Sequence, residues 1–401
     1  SNKWMRAGYG EKLRTFFLQY QPLLLVDLGA GVFESATVDT NILLLQKSKN
    51  TTKTYSLQAV TIQKTNAQPI DITQQIKEKA VVLQNLTSEA WYIGDEAEQQ
   101  LKKKIERIGK PLKEWDVNIY YGIKTGLNEA FIINEAKREK ILRNCQDEEE
   151  RRRTETILKP ILRGRDIKRY YYVWAGLWII VIPSGWTNKN KGNENPEIFV
   201  EKTFPSLMKH LKNFEEKAKK RDDQGDYWWE LRPCSYCPEF EKEKIIWQEL
   251  AQGAQFAYDS KKEFFISNTG YILTGKDLKY ILGYLNSNLN FYTFDKWYCT
   301  KLGEKGTRWL NQHVIKIPIP PITPFNEAIV KQIEELVDKI LVAKAGEMQK
   351  VRTQKVKMQK DISQQQSIFP PTDTTPWERE IDRLVYKLYD LTDEEIAIVE
   401  K

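Results

Sequence analysis

The sequence predicts an α+β protein in three successive parts: a strand-rich opening, a long mixed α/β region and a C-terminal helical hairpin. Its apolar runs are strand-sized, as at residues 23–26, 42–45 and 177–183, and none approaches the roughly 18 uninterrupted apolar residues of a membrane span. From residue 111 onward, short β-branched and aromatic runs alternate with Gly and Pro turns. Beyond residue 322, apolar residues instead recur at spacings of three and four, the signature of amphipathic helices.

Residues 4–19 are amphipathic and stop before Pro22, so a helix is expected there. Two buried-type strands follow at 23–28 and 41–46, joined by Gly29-Ala30-Gly31-Val32-Phe33. A polar run at 48–54 closes this block. Residues 55–62 alternate as a strand, and the Lys- and Glu-rich stretch 98–107 reads as a surface helix. Strands are then expected at 117–121, 130–134, 170–182, 244–247, 256–258 and 264–266. Helices interrupt them at 135–144, 204–221 and 278–289, and at 146–153, where Glu148 and Glu149 face Arg152 and Arg153 four residues on. Pro318, Pro320, Pro321 and Pro324 punctuate the end of this region. Ile329, Ile333, Leu336, Val337, Ile340 and Leu341 then line one stripe of a long helix. A second helix opens at Thr375-Pro376-Trp377-Glu378, which reads as a capping box with Pro at the first helical position, and carries Ile381, Leu384, Val385 and Leu388. Packed stripe to stripe, these helices make the hairpin. The resulting division is 1–65, a connector at 66–110, 111–322 and 323–401.

At 401 residues, 41% hydrophobic and 29% charged, the chain has room for two or three cores. Sixty-two Lys and Arg against 55 Asp and Glu give a net charge of +7, a mild excess that decides little alone. Its distribution says more: acidic residues gather in helical runs such as 147–150, whereas the glycine-bearing stretches are basic. Twelve Trp and 19 Tyr suit either a thick β-rich core or stacking on bases. Four cysteines are too few for a disulfide framework and no basic-then-apolar leader is visible, which together suggest a reducing cytoplasm. A start at Ser1 in place of Met suggests a piece of a longer protein.

Two stretches carry most of the functional signal: Tyr121-Gly122-Ile123-Lys124-Thr125-Gly126-Leu127-Asn128-Glu129-Ala130-Phe131 and Lys159-Pro160-Ile161-Leu162-Arg163-Gly164-Arg165-Asp166-Ile167-Lys168-Arg169-Tyr170. Lys124, Thr125 and Asn128 sit at a turn entering a strand, and Arg163, Arg165, Lys168 and Arg169 crowd four cations into seven residues. Lys301, Lys305 and Arg308 repeat the pattern beside Gly303 and Gly306. Backbone exposed by Gly and flanked by Lys and Arg suits phosphates and base edges. Arg can be bidentate to guanine, Asn can be bidentate to adenine, and Lys suits phosphate. A solvated face explains any one of these cations, but the three clusters together favour double-stranded DNA as the partner.

Other patterns carry less. Asp27-Leu28-Gly29-Ala30-Gly31 matches a turn that binds S-adenosylmethionine or nucleotides, yet that chemistry needs a helix start directly after the glycines. Here Val32-Phe33 and the residues after it lead into a strand, so strand–turn–strand is the favoured reading. Cys234 and Cys237 have the spacing of half a zinc knuckle, but His210 and His313 stand alone and Cys145 and Cys299 are single, so no metal site is expected. No nucleophile–base pattern, and no Asn-Pro-Pro-Tyr or Asp-Pro-Pro-Tyr, is present, so no catalytic residue is expected within the chain.

In order, Ser1-Asn2-Lys3-Trp4-Met5, Val32-Phe33 with 36–40, 122–131, 162–170, Ile245-Ile246-Trp247-Gln248, Phe256-Ala257-Tyr258, 280–287, Ile317-Pro318-Ile319-Pro320 and 381–392 resemble the C-terminal half of Type IIG restriction–modification enzymes and related N6-adenine DNA methyltransferases. The resemblance implies that the opening block is the C-terminal part of a Rossmann-like methyltransferase fold. It also implies that 111–322 is a DNA target-recognition domain and that the hairpin closes the chain. It further implies methylation of adenine N6 from S-adenosylmethionine on a flipped base. An aromatic at the position of Phe33 would stack on that base; read without the family, Phe33 is a core residue at a strand start. The catalytic motif, the cofactor-binding half and any nuclease domain would precede Ser1. This chain alone is therefore expected to bind DNA without binding S-adenosylmethionine, methylating or cutting, in a protein with no membrane partner. The alternative is a non-enzymatic specificity subunit of a Type I-like system, for which two recognition domains would be expected.

Overall fold

A computed structural model of the chain describes residues 2–29, 31–33, 38–47, 56–62, 71–84, 86–299, 306–345 and 372–401, with backbone alone continuing through 358. The chain forms two compact units from interleaved segments. One comprises Ser1–Leu112, Asn288–Ile322 and Val385–Lys401, and the other Lys113–Ser287 and Thr323–Leu384.

In the first unit, β1 (Gln21–Gly29), β2 (Thr40–Gln46), β3 (Ser56–Thr61) and β4 (Val81–Gln84) form a sheet in the order β2-β1-β3-β4. β1 and β3 run parallel, and both outer pairings are antiparallel. Neighbouring residues of a strand face opposite sides. Leu25 therefore joins Trp4, Met5, Leu57, Leu83 and Trp91 on one side, while Val26 joins Val60 and Ile62 on the other. The expected opening helix is broken into 3-10 turns at Asn2–Met5 and Gly8–Gly10 before α1 (Glu11–Phe17). Gly10 permits a close approach at this break: a Cβ there would lie 2.1 Å from the Trp4 carbonyl oxygen. β2 also departs from expectation, because as the edge strand it leaves Ile42 and Leu44 exposed. α2 (Glu96–Ile108) is N-capped by Asp95 and buries Leu101 and Ile105. Far along the chain, Pro318–Ile319 pairs antiparallel with Lys110–Pro111. The closing helix Asp393–Val399, sealed by a Thr392–Glu395 capping box, places Glu395 2.7 Å from Lys104.

The second unit holds two sheets around one large core. β5 (Val117–Tyr121), β9 (Lys244–Gln248), β10 (Phe256–Asp259) and β12 (Gly270–Gly275) are antiparallel in the order β10-β9-β12-β5. β6 (Ile132–Asn134), β7 (Leu158–Leu162), β8 (Leu177–Ile180) and β11 (Phe265–Ile266) form the other, in the order β11-β7-β8-β6, with β11 and β7 parallel. The chain crosses between the sheets where Ile123 bridges Ser267. α3 (Asn128–Phe131), a single turn, occupies the start of the stretch expected to be a strand at 130–134. α4 (Glu135–Arg143) and α5 (Glu148–Ile157) then pack against the second sheet, each N-capped, by Asn134 and Asp147.

Two further expectations are corrected. The strand foreseen over 170–182 is confined to β8, because Tyr170 adopts a left-handed conformation (φ +68°) and Gly176 another (φ +71°), which break the extended run. The helix foreseen over 204–221 divides into α6 (Pro205–Leu211), a 3-10 turn and a short helix at Glu215–Ala218. α7 (Leu278–Leu285) is buried except at Lys279, which pairs with Asp338 at 2.8 Å. α8 (Glu327–Met358) buries Val330, Ile333, Val337 and Ile340. Its main neighbour is α7, where Gly283 permits the approach: a Cβ there would lie 2.6 Å from Ile333 Cγ2. α9 (Thr375–Leu388) is capped one residue earlier than expected. The Thr374 hydroxyl donates to Glu378 Oε1 at 2.7 Å and the Asp373 carboxylate takes the Thr375 N–H at 3.0 Å.

Candidate nucleic-acid interface

The two glycine-bearing stretches converge on one cleft of the second unit. About 720 Å³ in volume, it is lined by Asn128 from the first stretch, by Arg163, Gly164 and Arg165 from the second, and by Gln248, Glu249 and 267–269. The glycines bring these segments together. A Cβ on Gly122 would sit 1.9 Å from the Ser267 carbonyl oxygen, and one on Gly164 would sit 2.7 Å from that of Thr269. Their amides are already used, Gly122 N–H donating to Gly270 O at 2.9 Å and Gly164 N–H to Thr269 Oγ1 at 2.9 Å. Gly122 and Gly164 thus permit close packing inside the domain and do not present bare backbone to a ligand. This corrects the role expected for them.

The residues singled out in the sequence divide by what they already hold. Arg165 is exposed and makes no hydrogen bond or ion pair with any described residue, so its guanidinium projects freely into the cleft. Thr125 is buried, and its hydroxyl donates to Asn128 Oδ1 at 2.7 Å while accepting the Leu127 N–H at 3.2 Å. That bond fixes the Asn128 carboxamide and leaves its NH2 group without a described partner. Arg163 is committed elsewhere: Nε and Nη2 donate to the two Asp166 carboxylate oxygens at 3.0 and 2.7 Å, a bond that raises the arginine's pKa further. Arg169 donates to Glu378 at 2.5 Å and to the Asn286 carbonyl. Lys168 is half-buried, its backbone N–H bonded to Tyr171 O.

Lys124 lies apart from the cleft, its ammonium 6.0 Å from the Tyr121 ring centroid. It lines a smaller hollow of about 310 Å³ with Arg232, Cys234 and Tyr236. Tyr236 stacks on Tyr120 there at 5.0 Å, and the Cys234 thiol is drawn down to about 7 by a hydrogen bond to Cys237. All four cysteines are free, and no cluster of metal ligands occurs among the described residues. Lys301 and Lys305 lie outside the described residues; Arg308 lies half-buried in the first unit. Phe33, also in the first unit, is 56% exposed and so is not the core residue that the unaided reading expected.

Sequence reasoning missed Asn268, Thr269 and Arg221, and gave Gln248 no role beyond its block. Asn268 and Thr269 sit in the turn before β12 and meet the cleft only through tertiary packing. Arg221 is buried beneath the first stretch, donating to the carbonyls of Thr125, Trp228 and Glu230, with its guanidinium 4.2 Å from the Phe131 ring centroid. Burial draws its pKa down to about 10, so it remains a cation at neutral pH.

Residues 159–319 match the family of TaqI-like C-terminal specificity domains. Across the whole chain, the solved structure of the Type IIL restriction–modification enzyme MmeI in complex with DNA is similar in fold, with a TM-score of 0.54 and 14% identity. The match takes in 99% of this chain and 47% of that one, so the chain spans about half the length of that enzyme's chain. The Type IIG restriction endonuclease BpuSI also aligns, over 97% of this chain and 46% of its own at 11% identity, but its TM-score of 0.39 is too low to support a fold assignment. No curated protein sequence matches. Among the described residues, no helix is long and apolar enough to cross a membrane.

Proposed function

We propose that this chain is the DNA-reading part of a restriction–modification enzyme that methylates adenine N6 from S-adenosylmethionine. One observation carries the reading. Within a specificity-domain fold, both glycine-bearing stretches line a cleft where a free guanidinium, Arg165, stands beside the carboxamides of Asn128 and Asn268. Guanidinium and carboxamide are the groups that pair bidentately with guanine and adenine edges in the major groove. Lys124 and Lys168, half-exposed, suit phosphates that set register.

Methylation belongs to the larger protein. The Asp27–Gly31 turn does not fit S-adenosylmethionine. The Asp27 carboxylate is buried and already accepts from Asn2 Nδ2 at 2.8 Å and from the Gly29 N–H at 3.1 Å. β1 pairs antiparallel with β2, and among the described residues between them no helix starts after the glycines. A methyltransferase half of the same protein is the partner this reading requires.

Selection of binding sites from a random duplex library tests the proposal. A single short site should emerge, bound on the order of 10³-fold or more tighter than random duplex at physiological salt. Equal affinity for all duplexes overturns it. Titration calorimetry of this chain with S-adenosylmethionine should give no heat; micromolar binding would restore the Asp27 turn as a cofactor site.

A further inference from the structure

Arg169 was expected to touch DNA, but its surroundings assign it another task. We infer that Arg169 and Glu378 are positioning residues, an inward clamp that holds the loop 163–170 so that Arg165 is presented at its apex. The inference rests on the DNA-reading function proposed above.

The clamp closes from several sides. Arg169 Nε lies 2.5 Å from Glu378 Oε2, in the first turn of α9, and Nη1 donates to the Asn286 carbonyl at the end of α7. Glu378 is itself oriented, because its other oxygen accepts from the Thr374 hydroxyl at 2.7 Å. The buried Asn286 side chain brackets Phe256 of β10, accepting from its N–H at 3.1 Å and donating to its carbonyl at 2.9 Å. The same Phe256 carbonyl takes the Tyr170 N–H at 2.8 Å. One backbone group thus joins the clamp to the loop's end.

The loop needs this restraint. Tyr170 is fully buried in a left-handed conformation, which a bulky side chain rarely adopts, and its hydroxyl finds no partner. The loop's other end is fixed by the Arg163–Asp166 pair, by Gly164 on Thr269 and by the Val173 N–H on Asp166 O at 2.8 Å. Between these anchors only Arg165 is exposed and free. The arrangement explains why a basic loop in a DNA-reading domain keeps an acidic partner from a distant helix.

The sign of the charge change makes the test sharp. If Glu378 merely faced DNA, Glu378→Gln would strengthen binding to every duplex by removing an anion. The clamp predicts instead that Glu378→Gln and Arg169→Gln each lower the ratio of specific to random affinity about 10-fold. The slope of log affinity against log salt should stay unchanged, since no phosphate contact is lost. The double variant should lose no more than either single one, because both break one interaction. Amide hydrogen exchange at Tyr170, measured without DNA, should quicken in both variants while melting temperature holds. A salt slope reduced by about 0.9 with equal loss on random duplex would make Arg169 a phosphate contact and overturn the inference. Unchanged exchange at Tyr170 overturns it as well. If the wild-type chain binds no specific site, the DNA-reading proposal fails, and the exchange experiment still decides whether the clamp exists.

Discussion

The two glycine-bearing stretches look alike in sequence and are braced in opposite ways. The first, around Lys124 to Phe131, is held from below by a residue outside it: Arg221 gathers the carbonyls of Thr125, Trp228 and Glu230 and lies against Phe131. The second, 163–170, is held by its own cations, Arg163 on Asp166 and Arg169 on Glu378. On the proposed function, a cation in a basic run is a candidate DNA contact only when nothing in the protein already holds it. Of the four cations in 163–170, two are spent on the fold, which leaves Arg165 as the exposed candidate.

The strongest way to break this contrast is to remove each brace in turn. Arg221→Met should destabilise the second unit by roughly 3–5 kcal/mol, because three buried carbonyls lose their donor. Arg163→Met, at a guanidinium about a third exposed, should cost only about 1 kcal/mol. Denaturant unfolding of the two variants measures the difference; comparable losses would mean that both loops are braced alike.

The glycines rank the same way at a smaller scale. Gly122→Ala drives a Cβ into the Ser267 backbone at 1.9 Å, where neither partner can yield, and should cost roughly 3 kcal/mol. Gly164→Ala meets the Thr269 carbonyl at 2.7 Å, a shallower clash that still forces backbone to shift, and should cost about 1–2 kcal/mol, less than Gly122→Ala. The order of the two melting temperatures checks this, and a reversal would show that the cleft wall near Gly164 is the stiffer one.

For recognition the contrast falls within the second stretch. Arg165→Ala should weaken binding to the selected site by roughly 1–3 kcal/mol beyond its effect on random duplex. Arg163→Ala should act mainly through stability. Anisotropy titrations on both duplexes separate the two outcomes. Equal losses on specific and random DNA would demote Arg165 to a phosphate contact.

The fold class and most strands were legible because their signals are local. The β-branched runs of β5, β9 and β10 and the apolar stripe of α8 need no tertiary knowledge. What escaped was set by distant partners. In sequence, Arg221 is one more cation at the end of a Lys-rich run; the fold buries it against Phe131. Nothing near Tyr170 announces a left-handed residue, whose N–H is bonded to Phe256, 86 residues on. The cleft was half legible: both stretches stood out as candidate DNA contacts, but Asn268 and Thr269 join them only because Gly122 and Gly164 let the turn before β12 approach. The interleaving of Asn288–Ile322 with the opening segment likewise leaves no trace in local pattern.

The smallest expected effect separates the loops by pH. The first stretch has a second brace, His210 of α6, whose Nε2 lies 3.0 Å from the Ala130 carbonyl. Its Nδ1 is buried without a partner. Burial holds its pKa below the ordinary value near 6.5; the bond to Ala130 offsets part of that shift and nearby Lys137 adds to it. With the folded pKa depressed, the neutral form carries the stability, which is fully present above about pH 6.5. As the pH falls below that value the unfolded chain binds the proton first, so stability declines until the folded histidine titrates as well. His210→Gln keeps a donor for Ala130 without a titrating group, and its stability should therefore fall less than that of the wild type between pH 7.5 and 5.5. Hydrogen exchange should place the wild-type loss at 125–131 and not at 163–170. Parallel pH profiles for the two proteins, or equal loosening of both stretches, would remove His210 as a brace of the first stretch.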